Sequence, residues 1–210
     1  MTLSNSSANI NLETLRHFGV NYLFHMTSID NLENIMAHGL YSHNLSRQQQ
    51  LLKCDISNQD VNQRRAGIYD PHYNHSLHDY VPFFINPRNA MLYALRAMQC
   101  NLAILAVSIK ALESRSFLFT DGNAANYATS MYNNLAHLSD LNWNAIRAKY
   151  WNDYHDGRRI VNAEFLIPEK VDVKHIAGVI LYHSTVENRV KSVLHVPESV
   201  SLKTYPQYFF

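Results

Sequence analysis

The spacing of apolar positions along the chain predicts short strands interspersed with helices. Short apolar runs bounded by turn residues are typical of buried strands. Six such runs predict strands: Leu23–Thr27, Tyr80–Ile85, Leu102–Ile109, Phe117–Phe119, Ile160–Ile167 and Ile176–Tyr182. Residues 199–210 predict a further strand at the end of the chain. Because proline cannot donate to a ladder, we expect Pro82 near the start or edge of its strand.

Helical spacing of apolar residues predicts helices between these strands. The first follows Ser28, a good N-cap, and ends at Gly39, a good C-terminal stop. Two more cover residues 91–98 and 184–193, the latter with a capping box that begins at Ser184. Strands and helices follow one another without a regular βαβ rhythm. The pattern therefore predicts one α+β domain over residues 1–210.

Three segments lack clear periodicity. Residues 1–16 are polar, and we expect them to be a flexible N-terminal segment. Residues 41–79 and 124–159 are long irregular stretches, with a helical patch around residues 59–65. Long irregular segments inside a compact domain are commonly functional or mobile.

Composition excludes several classes of protein. Hydrophobic residues make up 47% of the chain and charged residues 17%, which excludes a disordered chain. The net charge of +1 argues against a protein that grips long stretches of duplex, so any nucleic-acid contact should be short and local. We see neither a signal peptide nor an apolar run of the ~20 residues that cross a bilayer, and we expect a cytoplasmic protein. Cys54 and Cys100 form no CxxC pair.

Common nucleotide and metal motifs are absent from the sequence. It contains neither GxGxxG nor GxxxxGK[ST], which argues against a Rossmann site and a P-loop. His72, His75 and His78 are evenly spaced, but they lie on an irregular segment, and we interpret them as solvated loop histidines rather than metal ligands. The sequence therefore predicts no metal site.

Five segments, in order, resemble the DarT family of DNA ADP-ribosyltransferases, the toxins of toxin–antitoxin pairs. They are residues 24–40 (Phe24-His25-Met26-Thr27 onward), 62–65, 78–93, 120–125 and 158–167. The similarity runs from about His25 to the Ile176 strand. It implies an ADP-ribosyltransferase-like fold, with two facing antiparallel or mixed sheets, flanking helices and a cleft for NAD. It also implies transfer of ADP-ribose from NAD to a base of single-stranded DNA, with thymidine as the usual acceptor.

The resemblance implies roles for particular residues. Glu164, an acid in an otherwise apolar strand, takes the position of the catalytic glutamate, which stabilises positive charge on the ribose. The alternative is a salt-bridged or edge-exposed glutamate. A functional arginine is Arg65 or its neighbour Arg64, with Arg65 preferred. We expect contacts with NAD from His25, Thr27 and Tyr93.

The polar and aromatic segment 124–159 is the predicted acceptor region. We expect Arg158, Arg147 and Trp143 to contact DNA, because cations pair with phosphates and aromatic rings stack on unpaired bases. The alternative for Trp143 is a buried tryptophan in a helical lid.

Rival functions are an ADP-ribosyltransferase that acts on guanosine, RNA or protein, and a catalytically inactive NAD-binding module. The presence of His25, Arg65 and Glu164 argues against the inactive module. The family resemblance also implies a partner, a macrodomain-type antitoxin that removes ADP-ribose.

Overall fold

A computed structural model describes residues 11–210 of the chain. Its strands are β1 (Tyr22–Ser28), β2 (Leu40–Tyr41), β3 (Tyr80–Phe84), β4 (Leu102–Ser108), β5 (Leu118–Thr120), β6 (Met131–Tyr132), β7 (Glu164–Pro168), β8 (Lys170–Val171), β9 (Ile176–Leu181) and β10 (Ser201–Thr204). Its α-helices are α1 (Leu12–His17), α2 (Leu32–His38), α3 (His43–Gln48), α4 (Gln59–Ala66), α5 (Ala90–Ala94), α6 (Trp143–Ile146), α7 (Gly157–Ile160) and α8 (Ser184–Val193).

The strands form one large sheet and one small sheet. Eight strands pair in the order β10-β9-β4-β1-β3-β7-β5-β6, and β2 pairs with β8. The large sheet is mixed, because β10 runs parallel to β9 while the other neighbours are antiparallel. The α+β class with two sheets is therefore confirmed, although the two sheets differ greatly in size.

The large sheet separates between its two central strands. β1 pairs with β4 along seven residues, but it meets β3 only where Phe24 lies opposite Phe84. Beyond that point β1 and β3 diverge, and the gap between them opens a cleft.

Pro82 lies in a central strand, which corrects its predicted place at an edge. β3 pairs with β7 along all five of its residues, and Pro82 lies opposite Leu166. The carbonyl of Pro82 points toward β1, where it contacts the ring of His25. The N–H and C=O of one strand residue point to the same side, so the missing N–H of Pro82 faces the open gap. The proline therefore costs the sheet no backbone hydrogen bond between β3 and β7.

Several predicted boundaries also shift. Residues 160–163 end α7 and form a turn, so Glu164 is the first residue of β7 and not the middle of a longer strand. His183 caps α8 in place of Ser184, because its side chain accepts a hydrogen bond from the backbone N–H of Thr185.

The polar N-terminal segment is ordered in part. Residues 1–10 lie outside the described residues, and residues 12–16 belong to α1. Leu12 and Leu15 are buried in the main core, which fixes this helix to the domain. None of the helices within residues 11–210 is long and apolar enough to cross a membrane.

Candidate active site

A cleft of about 370 Å³ lies where β1 and β3 diverge. Its walls come from β1, the loop and helix that contain residues 52–65, the outer face of β3, one side of α5, and the segment that joins α7 to β7. The cleft brings together His25, Thr27, Arg65, Arg158 and Glu164, which lie far apart in sequence. Five of the eight side chains predicted for the site therefore share one cavity.

Glu164 is fixed at the floor of the cleft by its neighbours. Its side chain is 2% exposed. The backbone N–H of Ala124 donates to Oε1 at 2.8 Å, and the backbone N–H of Glu164 donates to the hydroxyl of Thr120 at 3.0 Å. Both contacts come from the end of β5 and the turn that follows. The carboxylate therefore has one defined orientation before any ligand binds.

Arg65 is paired with this carboxylate across the cleft. Its Nη1 lies 3.2 Å from both oxygens of Glu164. The other terminal nitrogen, Nη2, is buried and has no hydrogen-bond partner among residues 11–210. Because α4 exposes Arg64 and turns its neighbour inward, the geometry favours Arg65 as the functional arginine.

His25 lies on the opposite wall, at the point where β1 leaves β3. Its Nδ1 is 2.9 Å from the carbonyl oxygen of Pro82. A carbonyl can only accept, so Nδ1 carries the proton and Nε2 keeps its lone pair. Burial lowers the pKa of His25 below its ordinary value, against the smaller opposing effect of the bond to Pro82. His25 is therefore a neutral acceptor at physiological pH.

Thr27 is held in the same wall by Asn31. The Nδ2 of Asn31 donates to the Thr27 hydroxyl at 3.0 Å and to the carbonyl of Cys54 at 2.7 Å. Its Oδ1 accepts from the backbone N–H groups of Lys53 and Cys54. One asparagine thus joins β1 to the irregular segment that closes this side of the cleft.

Tyr93 does not line the cleft, which corrects its expected place beside the cofactor. Ala90, Met91 and Ala94 form the face of α5 that borders the cavity. Successive residues of a helix point about 100° apart, and Tyr93 falls on the other face. Its side chain is exposed and packs against Trp151.

Trp143 and Arg147 lie away from the cleft and pack against one another. The Trp143 ring stacks on Phe18 at 5.2 Å, and its indole N–H donates to the carbonyl of Leu138. The guanidinium of Arg147 covers the same ring and donates to the carbonyl of Phe18. Through these contacts with Phe18, the two side chains join the segment to the end of α1. Of the three predicted DNA contacts, only Arg158 reaches the cleft.

Sequence reasoning missed Asn162 in the wall of the cleft. Its Nδ2 donates to the carbonyl of Arg158 at 2.7 Å, so Oδ1 faces the other way. That Oδ1 is buried and accepts no hydrogen bond from the part of the chain that the structure describes. Asn162 immediately precedes the Ala163-Glu164 pair, but nothing in its type or spacing distinguishes it from other loop asparagines.

Sequence reasoning also missed the histidine pair formed by His43 and His78. Their rings stack at 4.1 Å and both border the cleft. Burial, followed by the charges of His78 and Arg47, lowers the pKa of His43 to about 4. The pair brings together residues from an irregular segment, which no local pattern could place in contact.

No group of three or more His, Cys, Asp or Glu side chains within residues 11–210 is arranged to hold a metal ion. His72 contacts the carbonyl of Met131 and His78 contacts Asn62, so these two evenly spaced histidines point to different neighbours.

The chain is similar in sequence to proteins of a known family. Residues 24–210 match the family model described as ssDNA thymidine ADP-ribosyltransferase, DarT. A DNA ADP-ribosyl transferase of Thermus aquaticus is 30% identical over 185 residues, which cover 82% of this chain and 80% of that protein. A DNA ADP-ribosyl transferase–DNA ADP-ribosyl glycohydrolase fusion protein of Thermosipho africanus is 28% identical over 90% of this chain but only 49% of its own length.

The fold is also that of solved structures. The Thermus sp. 2.9 DarT in complex with ADP-ribosylated ssDNA superposes with a TM-score of 0.82 at 27% identity, over 91% of this chain and 97% of that chain. The same protein in complex with NAD+ gives a TM-score of 0.77 at 26% identity, over 91% and 98%. The predicted class, an NAD-dependent DNA ADP-ribosyltransferase, is confirmed, and the chain belongs to the DarT family.

Proposed function

We propose that this chain transfers ADP-ribose from NAD to the base of thymidine in single-stranded DNA and releases nicotinamide. The observation that carries the proposal is the Glu164 carboxylate, held by Arg65 and the Ala124 N–H at the floor of the cleft. Anchored charge of this kind acts on a charged transition state without having to reorganise.

The cleft fits NAD through polar atoms that the protein leaves unpaired. Arg65 Nη2 is a buried donor and Asn162 Oδ1 a buried acceptor, and each costs stability as long as it lacks a partner. The neutral Nε2 of His25 adds an acceptor on the opposite wall. NAD presents ribose hydroxyls, a carboxamide and a pyrophosphate, which can pair with such groups. The solved complex of a Thermus relative with NAD+ supports this assignment.

The chemistry requires loss of nicotinamide and attack by a base nitrogen. As the bond between ribose C1′ and nicotinamide breaks, nicotinamide leaves with the bonding electrons and positive charge develops on the ribose. The carboxylate of Glu164 stabilises that charge, as a carboxylate does in glycoside hydrolysis. N3 is the only ring nitrogen of thymine in DNA that carries a proton. Its electron pair forms the new bond to C1′, and its proton passes to Glu164.

Thymidine in a single strand suits this site better than thymidine in a duplex. A paired base hides N3, and extruding it costs a few kcal/mol. The net charge of +1 provides little general attraction to duplex phosphates that would offset this cost. The family's name and the complex of a Thermus relative with ADP-ribosylated ssDNA support the same acceptor.

We further propose that the chain is the toxin of a toxin–antitoxin pair in the cytoplasm. A partner of macrodomain type would remove the ADP-ribose that this enzyme attaches. Support comes from the Thermosipho africanus relative, in which a DNA ADP-ribosyl transferase is fused to a DNA ADP-ribosyl glycohydrolase.

The test measures nicotinamide release and DNA labelling by wild type and by Glu164→Gln. Glutamine keeps the shape of the side chain and its bond from Ala124 but removes the charge, so we expect a loss on the order of 1000-fold in turnover with NAD affinity retained. Acceptors are single-stranded oligonucleotides that differ only in one base, together with the matched duplex, an RNA of the same sequence and a control protein. Labelling of guanosine, RNA or protein in preference to thymidine would contradict the proposed acceptor. Near-normal labelling by Glu164→Gln would contradict the proposed mechanism.

A further inference from the structure

A cluster of aromatic rings lies against the face of α5 that points away from the cleft. Tyr93, Trp151 and Phe210 meet edge to face, with ring centroids 5.1 to 5.8 Å apart. Arg88 lies over the Phe210 ring, and its Nη1 donates to the carbonyl of Lys149. We call these residues, with the adjoining Tyr150 and Arg96, the aromatic patch.

The aromatic patch exposes flat rings next to cations. Tyr93 is 42% exposed and Tyr150 is 61% exposed. Arg96 lies over the Tyr93 ring at 4.2 Å, and the Lys149 ammonium lies 5.3 Å from the centre of the Tyr150 ring. Exposed rings interleaved with cations are the composition of surfaces that bind unpaired nucleic acid.

The charge of the aromatic patch differs from that of the whole chain. The segments that build it, residues 86–101, 149–154 and 205–210, carry three cations, Arg88, Arg96 and Lys149, and one acid, Asp153. The whole chain is nearly neutral, at +1. The local excess of positive charge therefore favours a polyanion over a neutral apolar partner.

Two short helices connect the aromatic patch to the cleft. α5 presents Ala90 and Ala94 to the cleft and Tyr93 to the patch. α7 begins at Gly157, whose N–H bonds the carbonyl of Tyr154, and its next residue, Arg158, lines the cleft. A strand whose target base enters beside Arg158 would meet the patch with its neighbouring nucleotides.

We propose that the aromatic patch binds the nucleotides that flank the target base of single-stranded DNA. Tyr93 and Tyr150 stack on flanking bases, while Arg96 and Lys149 pair with phosphates. This inference rests on the proposed function and extends it, because it assigns the acceptor strand a second contact outside the cleft.

The test compares two single-stranded oligonucleotides with one thymidine each, of about three and about 15 nucleotides, since single-strand sites span ~4–16 nucleotides. Binding and labelling are measured for wild type, Tyr93→Ala, Tyr150→Ala and Lys149→Ala. We expect wild type to bind the long oligonucleotide more tightly. Each tyrosine variant should weaken that binding about tenfold and change short-oligonucleotide and NAD binding less than about twofold. Lys149→Ala should reduce the slope of log affinity against log salt by about 0.7.

Matched controls separate the patch from general damage to the fold. Tyr22→Ala removes a tyrosine that is 47% exposed at the far end of β1, and Tyr93→Phe keeps the ring. Both should bind the long oligonucleotide as wild type does. The proposed role of the patch would be overturned if the two tyrosine→alanine variants bound the long oligonucleotide as wild type does. It would also be overturned if Tyr93→Ala lost only its affinity for NAD. Patch-dependent binding without labelling of either oligonucleotide would instead refute the proposed function alone.

Discussion

Two largely buried arginines, Arg65 and Arg159, differ in their hydrogen-bond partners. The side chains of Arg65 and Arg159 are 14% and 11% exposed, and each is paired with carboxylates. Arg159 bonds Asp121, Asp156 and the hydroxyl of Thr129. Burial lowers its pKa, but the two carboxylates outweigh that effect and raise the pKa above its ordinary value. Arg65 bonds Glu164 through one nitrogen and leaves the other without a partner.

The two ion clusters also differ in what they connect. Arg159 joins α7 to the turn after β5, and that turn supplies the N–H of Ala124 that orients Glu164. Gly122 lets the turn approach closely, because a Cβ there would lie 3.0 Å from the Arg159 carbonyl oxygen. Arg159 thus ties neighbouring segments together, whereas Arg65 keeps a buried donor, Nη2, beside the cleft. Charge and burial alone do not distinguish them.

Of the two arginine changes that test this comparison, Arg65→Lys should have the larger effect on turnover. Lysine keeps a positive charge near Glu164 but lacks the forked guanidinium, so the unpaired Nη2 donor is lost. We expect turnover to fall on the order of 100-fold, with the free energy of unfolding nearly unchanged. Initial rates of nicotinamide release and urea unfolding of the same preparation measure both. Wild-type turnover in Arg65→Lys would show that Nη2 has no part in the reaction.

The matched change Arg159→Lys should have the opposite profile. A lysine cannot bond Asp121, Asp156 and Thr129 together, so at least one charge-assisted bond is lost. We expect the free energy of unfolding to fall by about 2 kcal/mol, while the folded protein keeps its turnover. Urea unfolding with activity normalised to the folded fraction is the measurement. A large loss of turnover without a loss of stability would mean that Arg159 acts on substrate.

The smallest effect should be a dependence of stability on pH. Burial lowers the pKa values of His25, His43 and His78 in the folded state, and that of His43 to about 4. An unfolded histidine binds its proton near pH 6.5, so the unfolded chain gains protons first as pH falls. The contribution of these histidines to the free energy of unfolding is therefore fully present above pH 6.5 and is lost as the pH falls toward 4. For His43, which solvent partly screens, we expect the loss to be about 1 to 2 kcal/mol.

Thermal unfolding between pH 7 and pH 5 tests this window, which lies above the range where most carboxylates titrate. The control is His43→Gln, which cannot take up the proton and should show a smaller decrease than wild type. Parallel pH profiles for the two proteins would contradict the role of His43.

The amino-acid sequence by itself determined the secondary elements with strong local signals, and it predicted candidate residues for the chemistry. Apolar runs predicted β1, β3, β4, β5 and β9 to within one or two residues, because burial of both faces leaves a continuous apolar segment. Glu164 was identifiable because an ionisable group in an apolar segment needs a reason. His25 and Arg65 followed from their resemblance to the family, and the cleft brings both to Glu164.

Only the tertiary structure decided which polar and aromatic side chains face the cleft. Trp143 and Trp151 lie in the same irregular segment, yet one is covered by Phe18 while the other joins the aromatic patch. Tyr93 lies outside the cleft because α5 points its side chain outward. Asn162 lines the cleft because the turn before β7 points its side chain inward. The divergence of β1 from β3 depends on pairing between strands distant in sequence. Such contacts depend on where chain segments meet in space, and local periodicity carries no information about that.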